Sequence, residues 1–259
     1  MIVDSHCHLN YPGLVEDFSE VLERAATAGV SHMLCICSRL SEFDAIRAMA
    51  VSHDQIYCSV GIHPHNSGDE DPANLSALLE RAAYPKVIGI GETGLDFYYD
   101  KSPRDVQEDN FRIHIAAARE TGLPIIVHTR NADEKTMEIL AEEYKNGPFP
   151  GLIHCFTAGV ELAQMVLDMG FFISFSGIVT FDNAENLRTI AEEVPLERIL
   201  VETDAPFLAP VPVRGKRNEP AFVVHTAAKL AELKGETPER IGRITSENFF
   251  ELFSKAEAA

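Results

Sequence analysis

The sequence has no uninterrupted apolar run of about 18 residues, the length a helix needs to cross a bilayer, so no membrane span is expected. Basic residues are also scarce: 22 Lys and Arg stand against 40 Asp and Glu, a formal charge of −18. A field of that sign repels phosphate polymers unless a local patch or a bound cation reverses it. This argues against a protein that passively coats nucleic acid, and against lasting attachment to an anionic membrane. Paired cysteines are missing. The five present, Cys7, Cys35, Cys37, Cys58 and Cys155, are odd in number and sit mostly inside apolar runs such as MLCIC and YCSV, which reads as buried free thiols. Cys35-x-Cys37 has neither the two-residue gap nor the second pair of a zinc or redox site. No charged n-region, apolar h-region and cleavage site precede MIVDSHCHL, so a reducing cytoplasm is the expected compartment. Gly-rich dinucleotide and Walker fingerprints, internal repeats, low-complexity tracts and linkers are absent too, and one domain over residues 1–259 is expected.

What is present is ordinary globular material, 46% hydrophobic and 24% charged, with enough chain for a large core. Short apolar stretches alternate with amphipathic ones, separated by Gly, Pro, Asp or Asn. Eight strands are expected, at Met1–Ser5, His32–Cys37, Ile56–Ile62, Val87–Gly91, Pro124–His128, Gly151–His154, Phe171–Ser176 and Ile199–Glu202. Helices are expected between them, the first at Val15–Ala28 with Val15, Phe18, Leu22 and Ala25 on one face and Gly29 as its stop. Pro238–Phe253 adds helical packing after the eighth unit. Runs such as ILV and FFI are apolar throughout, as in a parallel sheet covered on both faces. Eight βα units imply an α/β, TIM-like (β/α)8 barrel, with a doubly wound open sheet as the competitor, since local pattern does not show whether the last strand closes on the first.

His and carboxylate residues recur where the strands end, which is where barrel enzymes build their sites. The first strand ends in Asp4-x-His6-x-His8, the fourth in Gly91-Glu92-Thr93-Gly94, the fifth in His128, the sixth in His154 and the eighth in Glu202-Thr203-Asp204. His6 and His8, two apart on extended chain, point the same way and can share one ion. Any one of these residues alone is more often a hydrogen-bonded polar group than a ligand. Their joint register is what matters: His6, His8, Glu92, His128, His154 and Asp204 converge on one barrel mouth. Six ligands exceed the four of a closed zinc site, and a bridging carboxylate lets two divalent cations (Mg2+, Mn2+ or Zn2+) lie close together. Such a pair lowers the pKa of a shared water and holds the attacked oxygen as it gains charge, so hydrolysis is expected. It also offsets the negative field locally, which opens phosphate esters to an acidic protein.

These residues resemble the TatD family of metal-dependent hydrolases across nearly the whole chain. The resemblance is carried by Ile2 through Asn10, by Pro124 through Glu134 and by Pro195 through Pro206. It is also carried by Gly61-Ile-His63-Pro64-His65, Gly91 through Asp96, His154-Cys155-Phe156 and Arg214 through Pro220. It implies that His6, His8 and Asp204 hold one cation, His128 and His154 the other, and that Glu92 bridges them, with Asp204 orienting or deprotonating the attacking water. Asp204 and Glu92 are then the catalytic residues. The resemblance further implies a deoxyribonuclease that removes nucleotides from an end, with DNA or another phosphodiester as substrate. An amidohydrolase or esterase using the same centre on a carbonyl is the alternative, and a silent metal-binding scaffold a third reading. No obligate protein partner is evident.

Substrate contacts are expected from four residues. His63 and His65 follow the third strand and are placed to meet a scissile phosphate or a cation, unless Pro64 merely makes a rigid turn of solvated histidines. Arg214 and Arg217, with Lys216, form the clearest basic cluster after the eighth strand, against the reading of a solvated turn. Arg130 either reaches a phosphate or pairs with Asp133 or Glu134. Asp96, Tyr98 and Tyr99 are placed to line the mouth and stack on a base. Glu202 reads as an acid supporting the ligands, and His32, His53, His114 and His225 as non-ligands.

Overall fold

The computed structural model describes residues 1–257, so the last two positions of the expected 1–259 unit lie outside the described residues. Its strands are β1 (Ile2–Cys7), β2 (Val30–Cys35), β3 (Ile56–Val60), β4 (Val87–Asp96), β5 (Ile125–Arg130), β6 (Gly151–Ile153), β7 (Phe172–Phe175) and β8 (Ile199–Val201). The helices are α1 (Phe18–Thr27), α2 (Phe43–Val51), α3 (Leu75–Ala82), α4 (Arg104–Thr121), α5 (Asp133–Tyr144), α6 (Val160–Asp168), α7 (Glu185–Glu193), α8 (Val223–Lys234) and α9 (Pro238–Leu252). All neighbouring strands pair in parallel and in chain order, β1 through β8. A doubly wound sheet would place its first strand in the interior of the order, so that alternative falls. No helix of the described residues is long and apolar enough to cross a membrane.

Two boundaries differ from the sequence expectation for physical reasons. β4 runs five residues past Gly91, because Thr93–Asp96 pair in register with Val127–Arg130. Gly94, at φ +128°, permits this, since a Cβ there would collide with the His128 carbonyl. α1 begins at Phe18 instead of Val15. A turn from Tyr11 buries Leu14 and leaves Val15 at 44% exposure, and Val21 takes the place beside Ala25 on the buried face.

The seam between β8 and β1 closes the barrel with few backbone bonds. Near the mouth there is one bridge, Cys7 to Ala205, with His8 N donating to Ala205 O (2.8 Å) and Asp204 N to His6 O (2.9 Å). Deeper down, side chains replace the ladder. Ser5 Oγ donates to Val201 O (3.0 Å), and the buried Asp4 carboxylate accepts from Thr203 N (2.9 Å) and Thr203 Oγ1 (2.6 Å). Asn218 Nδ2 donates to Thr203 O (2.8 Å), so the residue before Asp204 is held on both sides. Replacing Asp4 by alanine strands two buried donors of Thr203. We expect a loss of about 1–3 kcal/mol, read as a melting temperature several degrees lower, and an unchanged melting temperature would show that the clasp is dispensable.

The core has two layers. Inside the barrel Val3, Leu34, Ile88, Ile126, Leu152, Phe172 and Leu200 pack on Phe249, Leu252 and Phe253 at the C-terminal end of α9, which plugs the N-terminal end of the barrel. The larger cluster lies between sheet and helices. Strand alternation carries the inner row upward in steps of two: from Ile126 to His128, from Leu152 to His154, and from Leu200 through Glu202 to Asp204. β1 breaks this rule. Val3 belongs to the inner cluster but Cys7 to the outer one, and the pairing with β2 shifts between Asp4 and Cys7. That irregularity changes the phase of the strand and turns His6 and His8 into the mouth. A second shift, between Ile90 and Thr93, falls where β4 presents Glu92.

Candidate metal centre

Both oxygens of the buried Glu92 carboxylate face imidazoles, but different ones. Oε2 lies 3.3 Å from His6 Nε2 and 3.9 Å from His8 Nε2, and Asp204 Oδ1 lies 3.6 and 3.4 Å from the same two nitrogens. Oε1 lies 2.7 Å from His154 Nε2, 3.1 Å from His128 Nδ1 and 3.2 Å from His63 Nε2. Donor atoms about 2.0–2.2 Å from one tetrahedral ion are separated by roughly 3.3–3.6 Å, and three of the four distances in the first set fall there, the fourth, His8 Nε2 to Glu92 Oε2, being 3.9 Å. His6 Nδ1, His6 Nε2 and His8 Nδ1 are buried with no hydrogen-bond partner among the described residues. Such atoms are costly unless something meets them, and a divalent ion at the Nε2 atoms would meet one of the three, His6 Nε2.

Further acids decide which nitrogen each histidine offers. His154 Nδ1 donates to Glu202 Oε1 (3.2 Å), leaving Nε2 for an ion. His128 Nε2 donates to Asp96 Oδ2 (3.1 Å), leaving Nδ1. Three acceptors, Glu92 Oε1, His128 Nδ1 and His154 Nε2, then converge with no donor of their own, and His128 Nδ1 lies 3.2 Å from His154 Nε2. A cation or a proton must lie among them. His63 differs. Its Nδ1 accepts from His65 N (3.0 Å), so the neutral ring carries its proton on Nε2 and donates it to Glu92 Oε1. His63 therefore orients Glu92, although it stands at ligand distance.

The charges follow this geometry. Burial opposes ionisation of Glu92, but the imidazoles of His154, His63 and His6 outweigh it and hold its pKa well below the usual carboxylate range. Burial pushes His63 down to about 4. His6 is lowered by burial and by His154. Burial also works against a charged His154, yet Glu92 and Glu202 raise its pKa well above the ordinary 6.5. With no ion bound, His154 thus keeps its proton at pH 7, and an ion that takes Nε2 must displace it. Ion uptake at neutral pH is expected to release protons, so apparent affinity rises with pH. Calorimetric titrations in two buffers of different ionisation enthalpy measure this; identical heats would contradict it.

The structure brings His6, His8, Glu92, His128, His154 and Asp204 together in the C-terminal mouth, with His63 against Glu92. His65 stands one step back, its Nε2 2.7 Å from Asp96 Oδ2. Asp96, read from the sequence only as a wall of the mouth, is thus the shared acceptor for His65 and His128, and its Oδ1 caps Tyr98 N and Tyr99 N. No local pattern marks it, because the link depends on β4 extending to residue 96. The expected basic cluster after β8 does not line the mouth. Arg217 turns to Asp17 (2.8 Å) and the Gly13 carbonyl, a nearby carboxylate outcompeting the cavity for the guanidinium, and Arg214 lies on the Phe181 ring, 3.5 Å from its centroid. Arg130 forms neither expected ion pair and stacks on Tyr98 and Tyr99. Among the described residues the cysteines are all free; four are buried and Cys155 is half-buried at the mouth.

Comparison with known proteins decides the family, because residues 3–254 match the model for TatD related DNase. The chain belongs to the TatD family of metal-dependent hydrolases. It is 46% identical over 255 residues to the uncharacterized metal-dependent hydrolase YcfH of Escherichia coli K12, covering 97% of this chain and 95% of that one. A Rahnella relative named 3'-5' ssDNA/RNA exonuclease TatD is 35% identical over 92% of this chain and 93% of its own. Among solved structures, the TatD homologue YjjV of E. coli K12 superposes with a TM-score of 0.90 at 28% identity, over 98% of both chains.

Proposed function

We propose that this TatD hydrolase cleaves phosphodiester bonds of DNA, removing nucleotides from an end, with residues 1–259 acting as one unit in the cytoplasm without an obligate protein partner. One observation carries the reading: Glu92 turns one oxygen to each of two donor sets. His6, His8 and Asp204 would hold one divalent cation, His128 and His154 a second, and Glu92 both, with Mg2+, Mn2+ and Zn2+ as the candidates. Bound there, the ions supply a water of lowered pKa and positive charge for the phosphoryl oxygens.

The protein's own groups do the rest. Asp204 is the most open of the ligand carboxylates, its side chain 15% exposed against 3% for Glu92, and it reaches the cavity to orient the attacking water and take its proton. Asp96 and Glu202 fix the rings of His128 and His154. His63 and His65 line the cavity on the His128 side, where they meet the substrate. The cavity holds about 1740 Å³, above the roughly 300–1,000 Å³ of small-molecule pockets, which favours an extended substrate. The name of the Rahnella relative, a 3'-5' ssDNA/RNA exonuclease, supports the same reading.

The test strips the protein of metal, reloads it separately with each candidate ion, and supplies end-labelled single-stranded DNA beside small amides and esters. Ion-dependent shortening of the DNA from one end is expected. Amide or ester turnover without DNA cleavage would replace this reading with that of a carbonyl hydrolase.

A further inference from the structure

Single exposed apolar residues need no explanation, but exposed rings grouped beside a cavity mark a surface that meets something. Among the described residues Tyr84, Tyr98, Tyr99 and Phe207 are exposed rings; Tyr99 (50% exposed) and Phe207 (49%) line the mouth, and Tyr98 (56%) stands outside the lining, against Tyr99. They form two groups. Phe207 lies edge-on to Tyr11 (5.8 Å), and Tyr11 stacks on His8 (4.7 Å between centroids), so this group adjoins the Asp204 donor set. Tyr98 and Tyr99 meet edge to face (4.9 Å), and Tyr99 lies edge-on to His65 (5.3 Å), which reaches His128 through Asp96. This group adjoins the other donor set.

The second group carries positive charge as well. The Arg130 guanidinium lies 4.4 and 4.8 Å from the Tyr98 and Tyr99 centroids, and Lys101 Nζ lies 5.7 Å from Tyr99. Arg39 and Lys135 also line the cavity, but they face Asp69, Glu70 and Glu138. Arg130 and Lys101 make no ion pair among the described residues. In a chain of net charge −18, two cations left unpaired at the mouth mark a place for anions.

We propose that the two aromatic groups are platforms for the two bases that flank the scissile phosphodiester of an unpaired strand. One base lies on Phe207 with Tyr11 at its edge, the other on Tyr99 with Tyr98 at its edge, and Arg130 with Lys101 takes the next phosphate on the tyrosine side. The proposal rests on the phosphodiesterase reading above. A phosphodiester laid across the two donor sets has one nucleoside toward each platform. A base inside a duplex has both faces covered by its neighbours, so it must leave the stack to lie on a ring, and the platforms therefore select single-stranded ends.

The experiment measures KM on a short end-labelled single-stranded oligodeoxynucleotide, and on the same strand with an abasic residue on one side or the other of the scissile phosphate. It compares wild type, Phe207→Ala, the double variant Tyr98→Ala/Tyr99→Ala, and Tyr84→Ala, whose ring precedes β4 at the opposite end of the barrel. Each mouth variant is expected to raise KM by about 10-fold on the intact strand. The wild type is expected to lose a similar factor on an abasic strand, and the variant of the matching platform to lose nothing further there. Tyr84→Ala is expected to leave KM unchanged. Additive losses on the abasic strands, or mouth variants indistinguishable from Tyr84→Ala, would overturn the platforms while leaving the phosphodiesterase reading intact. A wild type that cleaves no phosphodiester, neither the strand nor bis(p-nitrophenyl) phosphate, would remove both. The abasic arm uses the wild-type protein, so it stands even where a variant folds poorly.

Discussion

Replacing Glu92 by glutamine is expected to lower hydrolysis by at least about 10³-fold and to lower the bound metal together with it. Removing one group that stabilises developing charge typically costs about 10²–10³-fold, and Glu92 serves both donor sets. Glutamine keeps the shape but presents an oxygen to one set and an NH2 to the other, so a donor then faces nitrogens that need a cation. Its charge is lost as well, and with it the larger of the two carboxylate fields, beside that of Glu202, that raise the His154 pKa in the ion-free protein. Elemental analysis beside the rate measurement separates the two effects. A variant that retains two ions per chain and near-normal turnover would show that Glu92 does not link the sets.

Asp204→Asn is the second large effect, and its signature differs. Turnover is expected to fall by about 10²–10⁴-fold, the range for a positioned general base. The fold is expected to survive, because Asp204 is anchored through its backbone, its N–H donating to His6 O, while Asp4 and Asn218 hold the preceding Thr203. The ordinary pKa of Asp204 is lowered: burial opposes ionisation, but the hydrogen bond from His8 and the charges of His6 and His8 outweigh it. The carboxylate thus stays ionised as pH falls below neutrality. Unaltered turnover with an unaltered melting temperature would take the proton-accepting role away from Asp204.

The barrel was legible because the period of the apolar residues is a local property: each strand and its helix can be recognised without knowing the others. The convergence of the six side chains was legible for a related reason, since strand ends share one side of any barrel; their distribution between two cations was only what the family resemblance implied. What stayed hidden depends on partners far away in the chain. Asp4 heads the DxHxH stretch, yet its role at the seam exists only because Thr203 lies beside it. The phase change in β1 cannot be read from alternation, because it breaks alternation. The proton position on His63 follows from a backbone N–H of the next turn. Arg217 looked free for substrate because Asp17, 200 positions earlier, is its neighbour only in the fold. Tyr11 and Phe207 sit in loops with no periodic signal, and only their packing beside His8, with Phe207 exposed, sets them apart.

The split carboxylate of Glu92 has a thermodynamic corollary. One side chain cannot be tuned for one guest without changing the other's welcome, so the two proposed occupancies would be linked, and linkage is reciprocal: whatever factor the earlier arrival imposes on the later one, the later imposes on the earlier. His154 lies flat against His6 at 4.0 Å between ring centres, a second bond of dependence across the divide. On the proposed two-ion reading the centre would act as one cooperative receptor for a pair, whose composition at any free-ion concentration is set jointly.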